Sequence, residues 1–186
     1  VGLPKKKGNY PLPELPTPEE YDALELRLGN FFKGVSKDVL FVVAGSGIIS
    51  NASLAVLKHL RKHRVSILYI RPDLDLLTPQ SISWLSERAV FGILQEFTRS
   101  GLFEKMWIVS NPMVEEVIGD VPVIGYYDKL NDMIATTFHM INVMRHTDPI
   151  IQNRSNPPVG CRIGTFGLSN MENQKKLFYS LDDVSD

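Results

Sequence analysis

"DVLFVVAGSGIISNASLAVL", Asp38 to Leu57, decides the fold class. Its first half is a continuous, β-branched apolar run of strand length, which predicts a strand covered on both faces as in a parallel sheet. The run stops at "AGSGIISNAS", a turn of glycine and small residues, and "LAVLKHLRKH" then reads as a helix. Strand, small-residue turn and helix in that order make the first half of a βαβ unit. Downstream, "VSILYI" from Val65 is a second buried strand closed by "RPD", and an amphipathic segment follows from Thr78 to about Gly101. "KMWIVS" is a third strand, running into "NPMVEEVIGD". Three apolar strands alternating with helices predict an α/β fold: a three-layer, mainly parallel sheet with helices on both faces.

Upstream, "TPEEYDALELRLGNFF" shows a helix start, with Thr17 as N-cap, Pro18 at the first helical position and Glu20 three residues after the cap. Leu24, Leu28 and Phe31 are expected to share its buried face. Residues 1–16 hold four prolines and the lysine run Lys5, Lys6 and Lys7, a composition that suits a loop or arm. Residues 17–146 then form the main domain. After His146 the pattern changes: "TDPIIQNRSNPP" reads as loop and "CRIGTFGLSN" as a strand, so 147–186 is expected to be a linker and the start of a second domain.

A chain of 186 residues, 44% of them hydrophobic, is long enough to bury a core. Its net charge of -1 gives no overall attraction to nucleic acid or anionic lipid. One cysteine, Cys161, cannot form an intramolecular disulfide, which agrees with a reducing compartment. The longest apolar run falls far short of the ~20 residues of a membrane span. These features predict a cytoplasmic protein with no membrane insertion and no nucleic-acid partner. The histidines have no Cys or carboxylate partners at metal-ligand spacing, so no metal site is expected.

Ligands of open parallel sheets bind at the carboxyl ends of the strands, and three stretches there carry suitable residues. The turn Gly45, Ser46, Gly47 with Ser50 and Asn51 places backbone N–H groups at a helix start, which suits an anion or phosphate. Asn111 ends the third strand. Tyr127 and Asn131, four apart at the opening of the helix "YDKLNDMIATTFHMI", project from one face, while Leu130, Ile134, Phe138 and Ile141 form its buried stripe. A ring beside an amide can stack on a planar base and hydrogen-bond to its edge. Arg71, before Pro72, is a further candidate for an anion contact. Trp84 and Trp107 read as core or interface aromatics.

In order and spacing these stretches resemble the tubulin/FtsZ superfamily of GTP-binding cytoskeletal proteins. "FVVAGSGIISNASLAVL" stands where that family has strand, phosphate loop and helix; "ILYIRPD" is similar to its strand ending in Arg-Pro; "MWIVSNPMV" is similar to the strand that ends in its nucleotide-contacting asparagine. "YDKLN" resembles the opening of its central helix, where Tyr stacks on guanine and Asn reads its edge. The likeness covers Thr17 to Met144, roughly two-thirds of the chain. It implies GTP or GDP, with Mg2+ admitted beside the phosphates, held by Gly45, Ser46, Gly47, Ser50, Asn51, Arg71, Asn111, Tyr127 and Asn131. It also implies head-to-tail self-association into filaments, with a contact loop containing Gln152, Asn153 and Asn156. The chain departs from the family at Ile48 and Ile49, which replace glycines, and near Leu76, where Asp75 is the nearest acid to the family's ribose-binding glutamate. Asn153 and Asn156 occupy the positions of the family's water-activating acids, and Asp148 lies out of register. An amide is no general base near neutral pH, so hydrolysis is expected to be weak or absent. The alternative is a nucleotide-independent structural or assembly protein on a tubulin-like fold. A Rossmann-like oxidoreductase is a weaker third, because the G-x-G-x-x-G turn with a following acid is missing.

Overall fold

The computed structural model describes residues 8–119, 122, 124–147 and 161–165. The arm lysines, Asp148, the contact-loop residues Gln152, Asn153 and Asn156, and everything after Thr165 lie outside the described residues.

Four strands, β1 (Asp38–Ala44), β2 (Arg64–Arg71), β3 (Lys105–Ser110) and β4 (Ile163–Thr165), form one sheet in the order β1-β2-β3-β4. Every pairing is parallel, with Asp38 opposite Arg64, Arg71 opposite Ser110 and Met106 opposite Ile163. The fold is thus α/β with a parallel sheet, as the alternating apolar segments predict. The strand expected in "CRIGTFGLSN" joins this sheet beside β3.

Side chains alternate across a strand, and β2 and β3 use both faces. On one face Val65, Ile67, Tyr69, Met106 and Ile108 meet Leu57 and Leu60 with Val90 and Leu94, the residues of α2 (Ser53–His59), its C-cap and α3 (Ile82–Arg99). On the other, Leu68, Trp107 and Val109 meet Val114 of α4 (Asn111–Ile118) and Leu130 and Ile134 of α5 (Tyr126–His146). Helices therefore cover both faces, and the stripe expected on α5 is the stripe that packs: Phe138 and Ile141 lie against the same cluster.

Strand β1 departs from expectation. Its burial alternates and only Val43 is fully buried; Leu40 and Val42 are 40% and 53% exposed. The α4/α5 layer packs on β2 and β3, so among the described residues the outer strand has a covering helix on one face only.

The first helix is also shorter than its sequence suggests. Thr17 caps α1 (Pro18–Ala23) by accepting from the Glu20 N–H at 3.3 Å, as read, but the helix stops after six residues because Leu24 is extended. Leu24 and Phe31 consequently stay 39% exposed, while Leu28 is buried. What holds α1 is tertiary: Tyr21 is fully buried against Ala52 and Ala55, and its hydroxyl donates to the Pro13 carbonyl. Helix α3 ends by rule instead. Gly101 (φ +84°) turns the chain, its N–H reaches the Thr98 carbonyl at 3.1 Å, and the Leu102 N–H reaches that of Phe97 at 3.0 Å.

The arm is part of the packed structure. Leu12 and Leu15 lie on the Tyr21 cluster, and the Leu15 N–H donates to the Tyr21 hydroxyl at 3.1 Å. From inside, Asn51 closes the seam: its fully buried amide donates to the Pro16 carbonyl at 2.8 Å and to the Ser86 hydroxyl at 3.1 Å. Among the described residues, no helix is long and apolar enough to cross a membrane. Asn51→Ala is expected to lower the unfolding free energy by about 1–3 kcal/mol, since it removes the bond to the arm's Pro16 carbonyl and leaves the buried Ser86 hydroxyl without that donor. Chemical denaturation, with proteolysis reporting release of the arm, measures this.

Candidate functional site

The connection after β2 leads to α3 on one face, and that after β3 leads to α4 on the other. Adjacent parallel strands whose connections leave to opposite faces open a crevice between their carboxyl ends. Arg71 and Ser110 are register partners at that crevice, and Asn111 follows directly. Asn111 Oδ1 is buried without a hydrogen-bond partner. A buried acceptor in that condition is costly unless something donates to it.

The turn after β1 is shaped by one carboxylate. Gly45 continues the ladder, its N–H reaching the Ile70 carbonyl at 2.9 Å, and Ser46 adopts the left-handed region at φ 61°. The Ser46 N–H then points to Glu87 of α3, which is almost wholly buried. The Tyr69 hydroxyl donates to Glu87 Oε2, and Arg71 Nε stands 3.6 Å from Oε1. A Cβ at position 45 would collide with Glu87 Oε2 and approach the Tyr69 hydroxyl to 2.5 Å and Pro72 Cδ to 2.9 Å, so glycine is required here by close approach. At Gly47 nothing lies within 4 Å of the same construction and φ is -75°. That glycine is sterically optional.

Burial raises the Glu87 pKa from its ordinary value, and the Tyr69 hydrogen bond, the Arg71 charge and the Ser46 N–H oppose the rise. Tyr69 is pushed upward by its own burial first and by the Glu87 charge second. At the start of α5, Tyr126 is pushed up to about 12, chiefly by donating a hydrogen bond to Glu115. That bond ties the opening of α5 to α4.

The residues predicted from sequence fall into three groups. Arg71 ends β2 and Asn111 follows the end of the neighbouring β3. Tyr127 is 73% exposed and, among the described residues, meets the Tyr126 ring edge-on at 5.2 Å; Asn131 is exposed on the same side of α5. The turn residues are engaged inside the protein: the Ser46 N–H by Glu87, the Ser50 hydroxyl by the Gly47 carbonyl at 2.5 Å, and the Asn51 amide by the arm. Ile48 and Ile49 are exposed on the turn's outer side. Glu87 escaped the sequence reading, yet a signal exists. It is an acid in the stripe of α3 that continues through the buried Val90, Leu94 and Thr98.

Two outcomes follow. Gly45→Ala should lower stability by about 1–3 kcal/mol through overpacking, while Gly47→Ala leaves the thermal midpoint near wild type. For Glu87, a pKa raised on folding means stability that is complete below the ordinary carboxyl range and lost as pH rises through the raised value. In urea titrations, Glu87→Gln should remove that decline, so the variant gains on the wild type as pH rises from the ordinary carboxyl range through the raised value. No protein-family model, no curated protein and no solved structure matches this chain.

Proposed function

We propose that this chain is a divergent tubulin/FtsZ-like, guanine-nucleotide-binding protein of the cytoplasm that assembles head to tail into filaments and hydrolyses GTP weakly or not at all. The observation that carries the reading is the orphaned Asn111 Oδ1 past the carboxyl end of β3, the strand paired with the one that ends in Arg71. A guanine edge offers N–H donors to such an acceptor, and the exposed Tyr127 ring offers a stacking face with Asn131 beside it. Arg71 serves the phosphates. Among the described residues no group of three or more His, Cys, Asp or Glu side chains is placed to hold a metal. Mg2+ on this reading is bound by phosphate oxygens and water. The polymer contact would be heterologous and non-closing, with the loop around Gln152, Asn153 and Asn156 capping the next subunit's nucleotide, followed by a second domain.

A second reading, a nucleotide-independent assembly protein on the same fold, draws on the internal engagement of Ser46, Ser50 and Asn51. A turn whose donors are already bonded has less to offer a phosphate. Calorimetry with GTP separates the two. The first expects saturable binding that Tyr127→Ala weakens roughly 5- to 100-fold, the worth of one stacked base, with phosphate release near background at polymerising concentrations. Absence of GTP binding assigns the second.

A further inference from the structure

At the carboxyl end of β2 a cavity of about 360 Å3 is lined by Arg71, Leu74, Trp84, Glu87, Arg88 and Phe91. Trp84, Glu87, Arg88 and Phe91 lie at helical spacing on α3, so one face of that helix forms a wall. Both arginines rest on aromatic rings: Arg71 Cζ is 4.8 Å from the Phe91 centroid and Arg88 Cζ is 4.6 Å from that of Trp84. A guanidinium held against a ring keeps its N–H groups for another partner. Between them, Arg71 Nε and Glu87 Oε1 are both buried and without a hydrogen bond, 3.6 Å apart. At that separation they attract as charges but are too far apart to bond. The pair is held by charge, and the hydrogen-bonding capacity of both atoms is incompletely used.

We propose that this cavity binds an oxyanion carrying an adjacent hydroxyl, for which hydrogen phosphate is the simplest probe. Its oxygens accept from Arg71 and Arg88, and its hydroxyl donates to Glu87 Oε1. This uses the remaining capacity of both atoms at once, and charge-assisted bonds to a guanidinium are the strong ones. Leu74, Trp84 and Phe91 leave an apolar wall for the organic part of a phosphate ester. The carboxylate also confers selectivity. Sulfate has the same shape but no proton to give, so it meets Glu87 as one acceptor facing another, and a site built to receive a hydroxyl rejects the analogue without one.

The inference goes beyond the nucleotide reading, because Trp84, Glu87 and Arg88 belong to no part of that set. The test is calorimetry on the full chain in mildly alkaline buffer with inorganic phosphate, glycerol 3-phosphate and sulfate. Phosphate should bind saturably and sulfate much more weakly; tighter binding of glycerol 3-phosphate identifies the physiological ligand as an ester, equal or weaker binding as the free ion. Arg88→Gln changes an exposed side chain and keeps a good helix former, and it should weaken phosphate binding roughly tenfold or more. Glu87→Gln supplies an amide donor and should admit sulfate. The proposal is overturned by sulfate binding as tightly as phosphate, by an unchanged affinity in Arg88→Gln, or by no saturation up to tens of millimolar, on the order of the weakest specific binding. Saturable phosphate binding in a wild-type chain that does not bind GTP overturns the nucleotide reading alone, and GTP binding without saturable phosphate binding overturns this inference alone.

Discussion

The Glu87 carboxylate joins three pieces of chain that are far apart in sequence. It receives the Tyr69 hydroxyl from β2 and the Ser46 N–H from the turn after β1, and it faces Arg71 at the end of β2. A carboxylate removed from water is costly unless donors surround it, and the donors are what shape this end of the sheet. The turn is drawn down onto α3 until no Cβ fits at position 45. Arg71 is caught between the carboxylate and the Phe91 ring. The same contact that shapes the turn after β1 therefore also sets the guanidinium at the mouth of the crevice.

Two cores on opposite faces of one sheet explain where that crevice lies. The α2 and α3 layer closes over one side of the central strands and the α4 and α5 layer over the other. The chain changes sides after β3, so the connections that follow β2 and β3 diverge and leave the strand ends open between them. Arg71 and Asn111 stand at the two strand ends by topology, a cation at the end of β2 and, past the end of β3, an amide whose oxygen lacks a donor. The α4 and α5 layer does not extend over β1, and Leu40 and Val42 remain uncovered there. The arm has a comparable dependence: its irregular backbone is held through Tyr21 and Asn51, side chains that bond to its carbonyls from the packed side.

Much of this architecture was legible in local pattern. The apolar, β-branched-rich runs of β1, β2 and β3 are of strand length and suit a sheet packed between helices, which β2 and β3 occupy on both faces and β1 on one. Thr17 caps α1, and Leu130 and Ile134 face the sheet, because capping and the 3.6-residue repeat act over a few residues and can be read directly. Of the candidate site, Arg71 and Asn111 were legible from their positions at strand ends, and Tyr127 and Asn131 from helical spacing.

Contacts between distant segments account for what local pattern could not show. Helix α1 ends at Ala23 because burying Tyr21 and Leu28 requires the chain to leave the helix, although the propensities of "LELRL" would continue it. Asn51, on a turn that reads as phosphate-binding, is committed to the arm by carbonyls some 35 residues earlier. Glu87 reads as one more charge on an amphipathic helix until Tyr69 and Ser46 are brought against it. Periodicity and capping are properties of neighbours along the chain, and they specified the strands, the helices and their inward faces. Desolvation and partner choice are properties of neighbours in space, and they alone determined which polar groups are spent within the fold and which are left open to a ligand.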